Sequence, residues 1–229
     1  MNSEYQQLDT LLKQREIKKA EVLIARLLRS DALPKEDEQR LLIYRARTRL
    51  LSARPTDALD DLLLLKEQHP ELFDNPAVLE LLADSYFARF ELASVGFAER
   101  QDAAIAAQIY RDILAQFPEY ANTGWVQYQL GRILLSLDEF EEAEKLIREA
   151  MMSPSDIASL TAYCYERLAF IAYYEQRDAK RAETLLRKAI DTYPTSEPVL
   201  WLAQVYLFLS KVRHNTDKEA ALEAVRQAL

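Results

Sequence analysis

Six alanines, Ala20, Ala58, Ala106, Ala143, Ala182 and Ala221, recur at intervals of 38, 48, 37, 39 and 39 residues. Their surroundings recur with them. Four positions past each alanine stand Ile24, Leu62, Tyr110, Ile147, Leu186 and Val225. Seven past it stand Leu27, Leu65, Ile113, Ala150, Ala189 and Ala228. Spacings of four and seven put these side chains in one stripe on a helix, and a small residue at the head of the stripe lets a neighbouring helix come close. Pro70, Pro118 and Pro194 follow twelve residues after their alanines, with Pro34 and Pro154 displaced by a residue or two. A single pair of helices cannot bury both of its faces, so a chain with this period must stack its pairs against one another.

The pattern is plainest in GWVQYQLGRILLSLDEFEEAEKLIREAMMSPS, Gly124 to Ser155. Leu130, Leu134 and Leu137 share one face of a first helix, and Ala143, Ile147 and Ala150 share one face of the second. Gly131 and Ala143 leave room for close approach, Leu137-Asp138-Glu139 makes the turn, and Pro154 stands at the exit. Leu82-Ala83-x2-Tyr86 and Leu202-Ala203-x2-Tyr206 repeat the first-helix signature. This order of small and large residues resembles the tetratricopeptide repeat, whose unit is about 34 residues of two antiparallel helices. The resemblance implies an all-α fold, an α-solenoid in which antiparallel helix pairs wind into a right-handed superhelix. Six slightly stretched repeats cover the chain, at about 1–34, 36–72, 76–120, 124–157, 160–195 and 196–229.

Composition agrees with an all-helical chain, with 3 glycines and 8 prolines against 49% hydrophobic residues. The formal net charge of -8 repels phosphate backbones, so no nucleic-acid partner is expected. Cys164 is the only cysteine, which excludes an internal disulfide and fits a reducing compartment. The segment MNSEYQQLDTLLKQREIKKA lacks a signal-peptide core, and the most apolar run, Val199 to Leu209, is too short to span a bilayer. The expectation is a soluble, cytoplasmic protein without membrane insertion.

Taken in order, the first repeat has Leu8, Leu11 and Leu12 on one helix face, a turn at Lys13 to Glu16, and Lys18-Lys19 on a solvated face. The second places Glu36, Asp37 and Glu38 in a first helical turn and carries Arg40, Arg45, Arg47 and Arg49. In the third, Ala106 comes 23 residues after Ala83, so extra residues within Phe90 to Gln101 must lengthen the helices or form a protruding loop. Helix-compatible composition favours two longer helices, and Phe97, if exposed, would favour a contact element. Met151 and Met152 read as packing filler, and His214 as an exposed loop residue. Ser196-Glu197-Pro198 reads as an N-terminal cap. The chain stops inside the sixth second helix without a polar capping helix, so either it is an excerpt of a longer protein or another chain covers its apolar end.

Catalytic chemistry finds no foothold. Gly96, Gly124 and Gly131 build no phosphate loop, and His69, His214 and Cys164 are too scattered for a metal site or a nucleophile-base pair. Carboxylate pairs such as Glu141-Glu142 sit on exposed faces. A non-enzyme without cofactor or metal is expected.

The functional expectation is a surface, and it comes from the resemblance. The family binds partners in a concave groove lined by the first helix of each repeat. Carried over position by position, the groove holds Arg40, Tyr44 and Arg47 from the second repeat, and Glu80, Asp84 and Phe87 from the third. Trp125, Tyr128, Gln129 and Arg132 come from the fourth, and Tyr163, Arg167 or Glu166, and Phe170 from the fifth. The sixth gives Trp201, Gln204 and Phe208. Rings and arginines are enriched at binding hot spots, though Trp125 and Trp201 could equally pack between neighbouring first helices. One branch of the family clamps a terminal carboxylate with lysines and asparagines. Here the groove lysines are missing, and of Asn2, Asn75, Asn122 and Asn215 only Asn2 falls on such a position. The resulting expectation is a scaffold or adaptor holding a peptide segment, with Arg40, Arg47 and Arg132 able to receive an acidic one. The alternatives are an assembly domain that forms homo-oligomers through its C-terminal end, or the regulatory part of a larger protein.

Overall fold

A computed structural model of the chain describes residues 2–30, 32–93, 97–197, 199–214 and 226, without the side chains of residues 2 and 97–99. Its described residues form helices and turns with no strand, arranged in two compact units, Met1–Ile113 and Leu114–Leu229.

The N-terminal unit contains α1 (Asn2–Lys13), α2 (Ile17–Leu27), α3 (Lys35–Leu51), α4 (Pro55–Gln68), a 3-10 turn (Pro70–Asp74), α5 (Pro76–Leu92) and most of α6 (Phe97–Gln116). Local chemistry sets several of these boundaries. Pro55 and Pro76 open α4 and α5, where the missing N–H costs nothing, and the Asn75 side chain accepts from the Ala77 N–H at 2.9 Å. Glu36, Asp37 and Glu38 occupy the first turn of α3, against its positive dipole end. Tyr5, Leu8, Leu11, Ala20, Leu23, Ile24 and Leu41 form one core; Ala46, Ala58, Leu59, Leu62, Leu65, Leu81 and Leu82 belong to a second. The extra residues of the third repeat do lengthen a helix. α6 has 20 residues, against 11 in α2 and 14 in α4. The side chain of Phe97, and with it the contact element expected there, lies outside the described residues.

The C-terminal unit contains α7 (Thr123–Ser136), α8 (Phe140–Ala150), α9 (Leu160–Tyr174), α10 (Ala179–Thr192) and α11 (Leu200–His214). α7 pairs with α8 and α9 with α10, while α11 packs on α10. Ala169, Ala172, Ala182, Leu186, Ala189, Val205, Leu209 and Val212 make the core of the last three helices. Gly131 of α7 lies close against α8. A Cβ there would lie 2.7 Å from Ile147 Cγ1 and 3.4 Å from the Ala143 carbonyl oxygen, so any larger residue would force Ile147 to shift.

The alanine period is visible in the packing. Ala20, Ala58, Ala106, Ala143 and Ala182 are all fully buried, as are the residues four positions on, Ile24, Leu62, Tyr110, Ile147 and Leu186. Ala221, Val225 and Ala228 lie outside the described residues. Five positions before four of these alanines the backbone turns left-handed, at Arg15 (φ 56), Ala53 (φ 54), Asp138 (φ 62) and Arg177 (φ 57). Each closes a first helix; the Arg54 N–H, for example, reaches back to the Arg49 carbonyl at 2.9 Å. An L-residue in that conformation costs about 1–2 kcal/mol. Ala53→Gly is therefore expected to stabilise the chain by about 0.5–1 kcal/mol, read as a raised thermal midpoint. A lowered midpoint would contradict the turn.

Two local expectations are corrected. Met152 is not packing filler: it follows the end of α8 and stands 88% exposed. His214 is exposed, but as the last residue of α11 and not in a loop. Pro198 of the expected cap lies outside the described residues, and α11 begins at Leu200.

Candidate functional site

In the C-terminal unit the first helices α7, α9 and α11 carry a connected set of aromatic rings. Trp125 and Tyr128 on α7 are 5.4 Å apart between centroids, and Tyr128 stacks on Tyr163 of α9 at 6.0 Å. Tyr163 meets Trp201 of α11 edge-on at 4.9 Å, and Trp201 stacks on Tyr193, just past α10, at 4.7 Å. Nearer the C-terminal ends of α9 and α11 a second group joins Phe170 to Tyr174 (4.6 Å) and Tyr174 to Phe208 (6.0 Å). Trp125, Tyr163, Phe170, Trp201 and Phe208 are all half-buried, so each ring packs on its neighbours and keeps some area open to solvent.

Cations stand among these rings. The Arg132 guanidinium lies 5.8 Å from the Tyr128 ring and donates to Gln129 Oε1 at 2.8 Å. Arg167 lies 5.9 Å from the Phe170 ring and pairs with Glu166 at 2.5 Å. Lys211 donates to the Tyr174 hydroxyl at 2.6 Å, which raises its pKa. Burial raises the pKa of the Tyr128 phenol, against the pull of Arg132 and Arg167, so the ring stays neutral beside them. Across α7, α9 and α11 the acidic residues number one, Glu166, against Arg132, Arg167, Lys211 and Arg213. Arg213 turns away to Glu183 of α10, at 2.9 Å. The face is aromatic with a positive bias in a chain whose net charge is -8.

The first helices of the N-terminal unit are organised differently. Tyr5 of α1 stacks on Tyr44 of α3 at 5.9 Å, and the Tyr44 hydroxyl donates to Asp9 Oδ1 at 2.6 Å. Arg40 lies 3.9 Å over the Tyr5 ring. Arg40, Tyr44 and Arg47 line a cleft of about 210 Å³ with Asn75 and Val78. Arg47 is exposed there. Tyr5 and Asp9 were not among the expected groove residues, although Tyr5 lies on an apolar-periodic helix.

Burial removes several expected groove residues from open surface. Phe87 is 3% exposed and stacks on Phe90, while Tyr128 and Gln129 are each 5% exposed. Asp84 accepts a hydrogen bond from the fully buried Tyr110 of α6, so it is held toward its own partner helix. Glu80 is half-buried, and Gln204 is exposed on α11. Arginines of α3 separate in the same way. Arg45 and Arg49 face α4, where Asp61 receives both, whereas Arg40 and Arg47 line the cleft. The rings that the sequence reading passed over as groove positions, Tyr173, Tyr174 and Tyr193, sit at helix ends, outside the fixed repeat positions.

Cys164 of α9, flanked in sequence by the half-buried Tyr163 and Tyr165, is fully buried. Burial pushes its thiol pKa up to about 12. The native chain is expected to resist a thiol reagent at neutral pH and to react fully once unfolded; rapid labelling of the folded chain would contradict this packing.

No group of three or more His, Cys, Asp and Glu that could hold a metal ion occurs among the described residues, and no described helix is long and apolar enough to cross a membrane.

Residues 161–196 match the family described as Tetratricopeptide repeat. Among solved structures the chain is similar to TTC0263, a thermophilic TPR protein in Thermus thermophilus. The two share 17% identity over 92% of this chain and 97% of that one, with a TM-score of 0.67. It is also similar to the apo form of the quorum sensor NprR from B. thuringiensis, at 15% identity over 99% of this chain and 63% of that one, with a TM-score of 0.74. NprR in complex with its cognate peptide NprX gives 16% identity, 98% and 65% coverage and a TM-score of 0.68. At these identities the likeness is one of fold. No curated protein matches the chain in sequence.

Proposed function

We propose that this chain, whose residues 161–196 match the tetratricopeptide repeat and whose fold is similar to that of tetratricopeptide-repeat proteins, is a non-catalytic interaction scaffold whose C-terminal unit holds a peptide segment of a partner protein across α7, α9 and α11. The observation that carries this reading is the row of half-open rings from Trp125 through Tyr163 to Trp201. Such rings are already fixed by one another, so a peptide side chain laid on them gains contact area while little rotamer freedom is lost. Arg132, Arg167 and Lys211 favour a segment that alternates apolar side chains with carboxylates. The same net charge of -8 that makes this positive face stand out disfavours nucleic acid. NprR, which shares the fold, binds its cognate peptide NprX. The single thiol, Cys164, suits a reducing, cytoplasmic setting.

Both tryptophans of the chain, Trp125 and Trp201, belong to this face, so their emission reports on it directly. Peptides selected from a random library are expected to shift that emission saturably and to be rich in Asp, Glu and large apolar residues. Trp125→Ala combined with Arg167→Glu should weaken the selected peptides about thirtyfold or more, the loss of a hot spot. Continued protection of Cys164 from thiol reagent would show that the variant is folded. Selection without enrichment, or equal affinity in the folded variant, would overturn the reading.

A further inference from the structure

A cleft of about 460 Å³ in the N-terminal unit lies between α2 and the junction of α3 with α4. Four arginines line it, Arg29, Arg45, Arg49 and Arg54, together with Glu21 and an apolar wall of Ile24 and Leu28. Three of the guanidiniums are already held in place. Arg45 donates to both oxygens of Asp61, at 2.9 and 2.7 Å. Arg49 reaches the same carboxylate at 2.5 Å and the Asp57 carbonyl at 3.0 Å. Arg54 pairs with Glu21 and lies 3.6 Å from the Asp57 carboxylate. Asp61 is 8% exposed and sits behind its two arginines. Against Glu21, Asp57 and Asp61 the four arginines leave one positive charge uncompensated, and the exposed Arg29 has no carboxylate partner among the described residues.

Anchoring Asp61 needs one arginine, and this cleft supplies two. A guanidinium has five N–H donors, so each anchored arginine keeps donors in reserve. Arginines fixed in advance lose little side-chain freedom when they take a ligand. We propose that this cleft binds a phosphate monoester, its phosphoryl oxygens received by the arginines and its organic part laid on Ile24 and Leu28. A carboxylate would duplicate what Asp61 and Glu21 already provide. A phosphoryl group instead offers three acceptor oxygens and about two negative charges, enough to bridge Arg29 to the anchored set. The volume lies within the range of small-molecule and side-chain pockets, about 300–1,000 Å³. The site shares no residue with α7, α9 or α11, so it stands or falls separately from the peptide-binding face.

The test uses the full chain at low salt and calorimetric titration with four probes: a phosphoserine peptide, its unphosphorylated twin, adenosine monophosphate and inorganic phosphate, with sulfate as control. Saturable binding of a monoester is expected, with the unphosphorylated twin inert. Arg29→Glu leaves the anchored arginines in place. It should weaken binding about tenfold or more with an unchanged melting temperature, and Arg29→Lys should weaken it less. A phosphopeptide that binds tighter than the nucleotide assigns the site to a modified protein partner; the reverse order assigns it to a small organic phosphate. No saturation by any probe, equal binding of sulfate and monoester, or undiminished binding to folded Arg29→Glu would each overturn the proposal.

Discussion

Replacing Ala143 with arginine is expected to unfold the C-terminal unit. Ala143 is fully buried, and its carbonyl oxygen and the Ile147 side chain already crowd Gly131 of α7. No space remains for a long side chain. Overpacking alone costs about 1–3 kcal/mol. An unpaired buried charge adds several kcal/mol more. The sum approaches the whole stability of an ordinary domain, about 5–15 kcal/mol. Thermal melts by circular dichroism should lose the native transition, and Cys164 should become reactive at neutral pH. Glu141→Arg, at an exposed position in the first turn of α8, serves as the control and should cost under about 1 kcal/mol. A cooperative, unshifted melt for Ala143→Arg would mean that α7 and α8 do not pack through this residue.

The second large effect is the loss of a core leucine. Leu130 is 2% exposed, on the α7 face beside Gly131. Leu130→Ala is expected to cost about 2–5 kcal/mol, from lost burial plus the cavity left where rigid neighbours cannot collapse. Val22, 71% exposed on α2, gives the contrast, with Val22→Ala changing stability by about 0.5 kcal/mol or less. Chemical denaturation curves of the two variants would show it. Equal midpoints would contradict the burial on which the repeat register rests.

Within each unit, the register could be read from the chain alone because its cause is local. An alanine stands in each described second helix, in the first turn of all but α6, since two backbones must pass close there, and side chains four positions on point the same way. The left-handed residue five positions earlier follows from the same geometry, because a first helix must end before the second can begin. The groove residues were less legible. Periodicity gives the face on which a side chain lies, but not whether a neighbouring helix covers it. Phe87, Tyr128 and Gln129, expected in the groove, are therefore buried. Asp84 lies on a first-helix position yet is drawn to Tyr110 by a hydrogen bond across 26 residues. Tyr193 escaped notice because it follows α10 and touches Trp201 only through the fold.

What the sequence determined by itself was the helical period, the pairing of helices and the small residues at their contacts, since all of these depend on spacing along a single chain. The tertiary structure decided which rings meet and which arginines are already engaged. Those facts depend on groups far apart in the chain coming within a few ångströms, and no pattern along one helix encodes its neighbour's surface. Arg45 and Arg47 make the point: two residues apart on α3, they differ by about half a turn. One is bound to Asp61, and the other lines a cleft open to a guest.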